Sequence, residues 1–187
     1  MAGSLVLVDT FTVSSSAASV IIGGGSSGSS SLNYAMDDTY DVYKLVITNL
    51  RPSADDAPMM RVTKSGSADS TAAYDFANRY LKADTSHTTS GSPNGTKFDC
   101  MTTIDTASTA SGNGIYYLFN FASSSEYSYG TYSEGHIQAV ENTVRALHGG
   151  FTHQVASASD GIFVAFDNYA SGSTIEEGKF SLYGLKK

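Results

Sequence analysis

One segment constrains this chain more than any other. Residues 40–50 read Tyr40-Asp41-Val42-Tyr43-Lys44-Leu45-Val46-Ile47-Thr48-Asn49-Leu50. In an extended chain Tyr43, Leu45 and Ile47 share one face, and Val42, Val46 and Leu50 take the other. A strand apolar on both faces belongs in the middle of a packed sheet, covered from both sides. Arg51-Pro52-Ser53-Ala54-Asp55-Asp56 ends it, because proline has no amide hydrogen to give to a ladder.

Shorter segments of the same kind recur along the chain. Leu5 to Val13, Ser19 to Ile22, Met59 to Lys64 and Tyr74 to Lys82 read as strands, the last with Tyr74, Phe76 and Tyr80 on one face. Phe98 to Ile104 alternates Phe98, Cys100 and Ile104, and Ile115 to Phe121 alternates Ile115, Tyr117, Phe119 and Phe121. Phe151 to Ala156, Ile162 to Phe166 and Lys179 to Leu185 complete the series. Turn signals separate them: Ser65-Gly66, Gly112-Asn113-Gly114, Asp160-Gly161 and the Ser/Gly stretch 171–173. Residues 86–97 read as a polar loop with Pro93 and an Asn94-Gly95 turn. Over 136–147, Ile137, Val140, Val144 and Leu147 recur at helical spacing, while Val140, Asn142, Val144 and Ala146 fit one face of a strand. We read two strands there, broken near Glu141-Asn142. The 29 Ser, 18 Thr, 12 Tyr and 9 Phe of the chain agree, since such residues favour turns and strands. About ten short strands at this spacing predict an all-β sandwich or barrel.

Residues 23–31 read Gly-Gly-Gly-Ser-Ser-Gly-Ser-Ser-Ser, the composition of a flexible linker. The expected organisation is therefore an N-terminal strand arm over 1–35, hinged at 23–31, followed by one domain over 36–187. Eleven Lys and Arg against 18 Asp and Glu give a net charge of −7, which argues against duplex nucleic acid as a partner. No run approaches the ~20 apolar residues that span a bilayer, so no membrane insertion is expected. Met1-Ala2-Gly3-Ser4-Leu5-Val6-Leu7-Val8-Asp9 lacks a positive n-region and does not read as a signal peptide. Cys100 stands alone and has acidic neighbours in Asp99 and Asp105, so a buried structural thiol is expected.

The motifs that carry chemistry are weak. Gly23-Gly24-Gly25-Ser26-Ser27-Gly28 spells a dinucleotide fingerprint, and Gly24-Gly25-Ser26-Ser27-Gly28 a nucleophile elbow, but neither is followed by a helical pattern. His148 and His153 are five apart, on opposite faces of one strand, with no dense ligand cluster for zinc around them. The carboxylates at Asp37-Asp38-Asp41 and Asp55-Asp56 read as solvated loops, without the pattern of a calcium loop. Asn94-Gly95-Thr96 reads as a turn. No catalytic, cofactor or metal site is expected, and an enzyme is not the reading. Tyr127, Tyr129 and Tyr132, beside Ser123-Ser124-Ser125 and Gly130, are the candidate contacts for a glycan or a partner. Aromatic rings offer apolar faces and hydroxyls to sugars, although cross-strand packing explains such rings equally well.

Three stretches carry a resemblance. Tyr40 to Ser53 opens the domain, Arg61-Val62 to Gly66 follows, and Gly178-Lys179-Phe180-Ser181-Leu182-Tyr183-Gly184-Leu185-Lys186 closes it. This order resembles small virion proteins and tail-fibre domains of tailed bacteriophages, of the marine and cyanophage type, over roughly residues 40–187. The resemblance implies a two-sheet β-sandwich of jelly-roll type, with the opening and closing strands side by side. It implies a virion structural protein, a homo-oligomer (a trimer first of all) in a tail fibre or its attachment site. A capsid decoration protein is the close alternative, and a carbohydrate-binding module the more distant one. Other virion proteins and a host-surface glycan are the implied partners, with loops 84–97 and 123–135 meeting the host. The resemblance concerns framework positions and carries no catalytic residue.

Overall fold

A computed structural model describes residues 4–138 and 143–185. In chain order the strands are β1 (Leu5–Thr12), β2 (Ser19–Gly23), β3 (Val42–Pro52), β4 (Pro58–Lys64), β5 (Ser67–Ala68) and β6 (Tyr74–Lys82). Then follow β7 (His87–Gly95), β8 (Phe98–Asp99), β9 (Gly112–Phe119), β10 (Ser128–Gln138), β11 (Thr143–His153), β12 (Gly161–Phe166) and β13 (Ile175–Leu185). Two antiparallel sheets pack face to face. The larger runs β1-β13-β3-β9-β10-β11-β6-β7, and the smaller β2-β12-β4-β5, with β8 beside β4. The expected all-β sandwich is what the chain forms.

The ends of the chain nest as in a jelly roll. β1 pairs with β13 and β2 with β12, in alternate sheets, while β3 and β4 take the other sides of β13 and β12. The opening and closing segments therefore lie side by side, with Leu45 opposite Leu182 and Ile47 opposite Phe180. Tyr43, Leu45, Ile47, Tyr116, Leu118, Phe180 and Leu182 face inward from the large sheet. Val20, Ile22, Met60, Val62, Ile162, Val164 and Phe166 meet them from the small one. Each such side chain contributes about 1.5–3 kcal/mol by leaving water. β12 is buried along its whole length, because Phe163 and Ala165 on its far side pack with Met59 in a second cluster.

Several expectations need correction. β3 lies inside its sheet, but Val42 and Val46 are only half-buried, since none of the described residues covers the outer face of that sheet. Leu50 turns inward with Ile47 because Asn49 adopts φ 56 and shifts the register there. The arm expected over 1–35 is instead two strands of the domain, one in each sheet. The Asp9 carboxylate accepts the Gly23 N–H at 2.8 Å, and the Gly24 N–H donates to the Asp160 carbonyl at 2.7 Å. Gly23, Gly24 and Gly25 have φ 74, 80 and 63, so the expected hinge is a tight left-handed loop that only glycine makes cheaply.

The loop expected over 86–97 contains the edge strand β7, and most of 123–135 belongs to β10. Both were hidden because their side chains are polar: β7 is exposed along most of its length, and its Pro93 is tolerated at an edge. Only Phe98–Asp99 of the expected strand 98–104 is regular; Ile104 makes single bridges to Asp56 and Gln138. Phe151 to His153 continue β11 rather than starting a new strand, and Gly112 and Gly114 open β9 rather than marking a turn. Residues 136–147 do form parts of two strands, while the expected break at Glu141-Asn142 lies outside the described residues.

Candidate functional site: the outer face of the large sheet

The alternation of a strand sends every second side chain outward, and the register aligns these into rows across the sheet. One row runs Leu5, Leu185, Val42, Phe119, Tyr129, Thr152 and Asp75. The next runs Leu7, Tyr183, Lys44, Tyr117, Thr131, Gly150, Ala77 and Gly91. A third runs Thr10, Ser181, Val46, Ile115, Ser133, His148, Arg79 and Thr89. The face therefore has two halves of different chemistry. Over β1, β13, β3 and β9 it is apolar and aromatic, with Leu5 46 %, Leu7 51 %, Leu185 43 % and Tyr117 42 % exposed. Over β10, β11, β6 and β7 it is built of small and polar side chains.

In these three rows the apolar half carries no carboxylate, and Lys44 is its charge; further along β13 and β3 lie Lys179 and the exposed Glu177, which pairs with Arg51 at 2.6 Å. The Lys44 ammonium sits over the Tyr117 ring, 5.8 Å from its centre. Tyr129 stacks on Phe119, with centroids 5.0 Å apart and planes 19° apart. In the polar half, Ser133 Oγ and His148 Nδ1 are 2.8 Å apart. Asp75 is engaged by the Asn94 N–H and the Gln154 amide.

Beneath β10 lies a second feature. Its inward row is Ser128, Gly130, Tyr132, Glu134, His136 and Gln138, almost wholly polar and yet buried. The Tyr116 hydroxyl donates to Glu134 Oε2 at 3.0 Å, and burial pushes the Glu134 carboxyl well up from the ordinary range. Burial likewise pushes the Tyr116 hydroxyl and the Cys100 thiol up. Arg145 donates to the Thr102 hydroxyl at 3.1 Å, and Thr102 lies 2.7 Å from His136 Nε2. Burial first, then the Arg145 charge, lowers the His136 pKa to about 4. With Cys100 and Tyr116 fully enclosed, this network braces the core rather than meeting a solute.

The three sequence-predicted tyrosines are not brought together. Tyr127 and Tyr129 are exposed, but Tyr132 is 1 % exposed and faces the core. Its hydroxyl accepts from Asn78 at 3.2 Å and donates to the Asp99 carbonyl at 3.4 Å, so it is removed from the contact set. The strict alternation of β10, with Tyr132 an odd number of positions from Tyr129, requires this inversion. The face of β9 is inverted too: Ile115 and Tyr117 point outward, and Tyr116 and Leu118 inward. Aromatic residues on both faces leave the period-two signal without a sign.

Cys100 is buried, as expected, with its thiol donating to the Pro58 carbonyl at 3.2 Å. His148 is exposed and His153 buried, on opposite faces of β11. The carboxylate of Asp56 is not a solvated loop group; it is buried and holds the N–H and side-chain amide of Asn168, each at 3.0 Å. Among the described residues no three His, Cys, Asp or Glu side chains are grouped to hold a metal ion. Sequence reasoning missed Tyr117, Ser133, His148 and Arg79 as a shared surface. Only the pairing register brings them together, and no local pattern encodes it. Comparison with known protein families found no match, and neither did comparison with curated proteins.

Proposed function

We propose that this protein is a structural subunit of a bacteriophage virion, placed in a tail fibre or its attachment site. It associates with further copies of itself through the apolar half of the outer sheet face. The observation that carries this reading is the uncovered surface of β1, β13, β3 and β9. Four strands at ~4.8 Å and eight residues at ~3.3 Å span about 19 by 26 Å, or about 500 Å². Contiguous apolar patches of this size on soluble proteins mark interaction sites. The three rows hold no acidic residue in this half, and the exposed Glu177 further along β13 is paired with Arg51, although the chain carries −7 overall. Two copies of net charge −7 repel each other overall and least across such a face, which favours a second copy as the occupant.

The placement on a phage particle is supported by the resemblance of the opening and closing strands, which pair here as the two inner neighbours of one sheet. Size-exclusion chromatography with light scattering, together with immunogold labelling of intact particles, tests the reading. Oligomers in solution and label on tails are the expected result. Label confined to heads transfers the subunit to capsid decoration, which the same face serves equally. A stable monomer that labels no particle overturns the reading.

A further inference from the structure

The polar half of the outer face contains a trough. Its floor is the row Thr131, Gly150, Ala77 and Gly91, where side chains are short or missing. One wall is Tyr129, Thr152 and Asp75, and the other Ser133, His148 and Arg79. The exposed Tyr117 ring closes one end. Depressions of about 570 and 230 Å³ lie along it, the first over Ala77, Gly91 and Gly150 and the second against Tyr117, Thr131, Ser133 and His148, while one of about 550 Å³ lies beyond the second wall, between Arg79 and Leu81. From Tyr117 on β9 to Gly91 on β7 it crosses five strands, about 19 Å at ~4.8 Å per strand. That length suits a short linear chain molecule rather than a compact ligand.

The lining specifies the chemistry. Hydroxyls of Thr131, Ser133 and Thr152 and the His148 ring offer hydrogen bonds along both walls, and Tyr117 offers a ring face at the end. Arg79 has no ion-pair partner among the described residues, whereas the Asp75 carboxylate opposite already accepts two hydrogen bonds. Asp75 keeps its charge but each of its oxygens is already engaged, so the charged group with open hydrogen-bonding capacity in the trough is the exposed Arg79 cation. We propose that this trough binds a short stretch of acidic polysaccharide. Its sugar rings lie along the small-residue floor, and a carboxylate pairs with the Arg79 guanidinium, a fork suited to a planar anion. The inference goes beyond the structural reading above and needs only a single copy of the chain.

The test uses the intact purified protein and NMR titration with oligogalacturonate, sialyllactose, a neutral galacto-oligosaccharide and inorganic phosphate. The expected result is shifts for the amides of residues 131–133, 148–150 and 77–79 with at least one acidic saccharide. Arg79→Gln weakens that binding about tenfold, the loss of one charge-assisted contact. Ala77→Trp, at an exposed outward position, fills the floor and abolishes binding while leaving the melting temperature unchanged. Should that variant fail to fold, Thr131→Trp, at another exposed position of the floor, serves the same purpose. No binding to either acidic saccharide at millimolar concentration overturns the proposal. So does equal binding of the neutral sugar, equal binding of phosphate alone, or binding that survives a filled trough. Because monomer is sufficient, failure here leaves the assembly reading untouched, and loss of oligomers leaves this one untouched.

Discussion

Glu134 is a carboxyl inside a β-sandwich, where the Tyr116 hydroxyl donates to it at 3.0 Å. Burial raises its pKa, so the native state holds the proton more tightly than the unfolded chain does. The stabilisation this brings is complete below about pH 4.5 and is lost as pH rises through the folded-state value. Glu134→Gln keeps the shape and an acceptor for Tyr116 while removing the ionisation. Its melting temperature, relative to wild type, is therefore expected to climb between pH 5 and pH 9; parallel curves would refute the buried acid. His136 works in the opposite sense. Its folded pKa of about 4 lies below the unfolded 6.5, so its contribution is present above 6.5 and is lost as pH falls toward 4. At ~1.36 kcal/mol per pH unit the loss reaches about 3 kcal/mol, and His136→Asn removes it, flattening the acid limb of a stability–pH curve. Nearby, Gly130 has no room for a methyl group. A Cβ there meets the Phe151 ring at 2.5 Å, and that ring is fixed by stacking on Phe98 with centroids 3.7 Å apart. Gly130→Ala is expected to cost about 1–3 kcal/mol in denaturant unfolding; an unchanged midpoint would mean the Phe98–Phe151 stack yields easily.

At the level of the strand, the first 35 residues decide between an appendage and a component. β2 contributes Val20 and Ile22, both with no exposure, to the central core, and β1 covers the edge of β13. Removing residues 1–35 strips a strand from each sheet and exposes β12. The truncated chain is expected to lose its cooperative melting transition by circular dichroism, whereas an appended arm would leave the transition in place. This element also shows what could and could not be read in advance. The strands themselves were legible at Leu5 and Ser19, because their β-branched and apolar residues announce them. Their membership was not, because a Gly/Ser run has the same composition whether it is a loose hinge or, as here, a set of left-handed residues held by Asp9 and Asp160. β3, β12 and β13 were legible for the same reason as the core: continuous apolar residues with proline or glycine at their ends. β7 and β10 were not, since one is a polar edge and the other turns a polar row into the interior, where hydrogen bonds replace hydrophobic contact. The candidate surface was the least legible of all. Tyr129 was foreseen, but its neighbours in space come from β11, β6 and β7, and a one-residue change of register would send every one of them to the other face.

For the whole molecule the controlling balance is between a net charge of −7 and an apolar half-face whose exposed carboxylate, Glu177, is paired with Arg51. Repulsion between copies acts over a Debye length, about 30 Å at 0.01 M salt and about 10 Å at 0.1 M. The apolar attraction between two outer faces is short-ranged and little affected by moderate salt. Association of this protein should therefore strengthen as ionic strength rises, the reverse of an assembly held by ion pairs. Light scattering across 0.01–0.5 M sodium chloride at one protein concentration reads this directly, with average mass expected to rise along the series. Leu7→Glu supplies the matching control, because it places a carboxylate on the edge strand of the apolar half, beside Tyr183, at a site already half exposed and so harmless to the fold. That variant should remain monomeric at every salt concentration while melting within about 2 °C of wild type, since an exposed substitution shifts stability by no more than ~0.5 kcal/mol. A mass that falls with salt, or a Leu7→Glu protein that still associates, would place the contact somewhere other than β1, β13, β3 and β9.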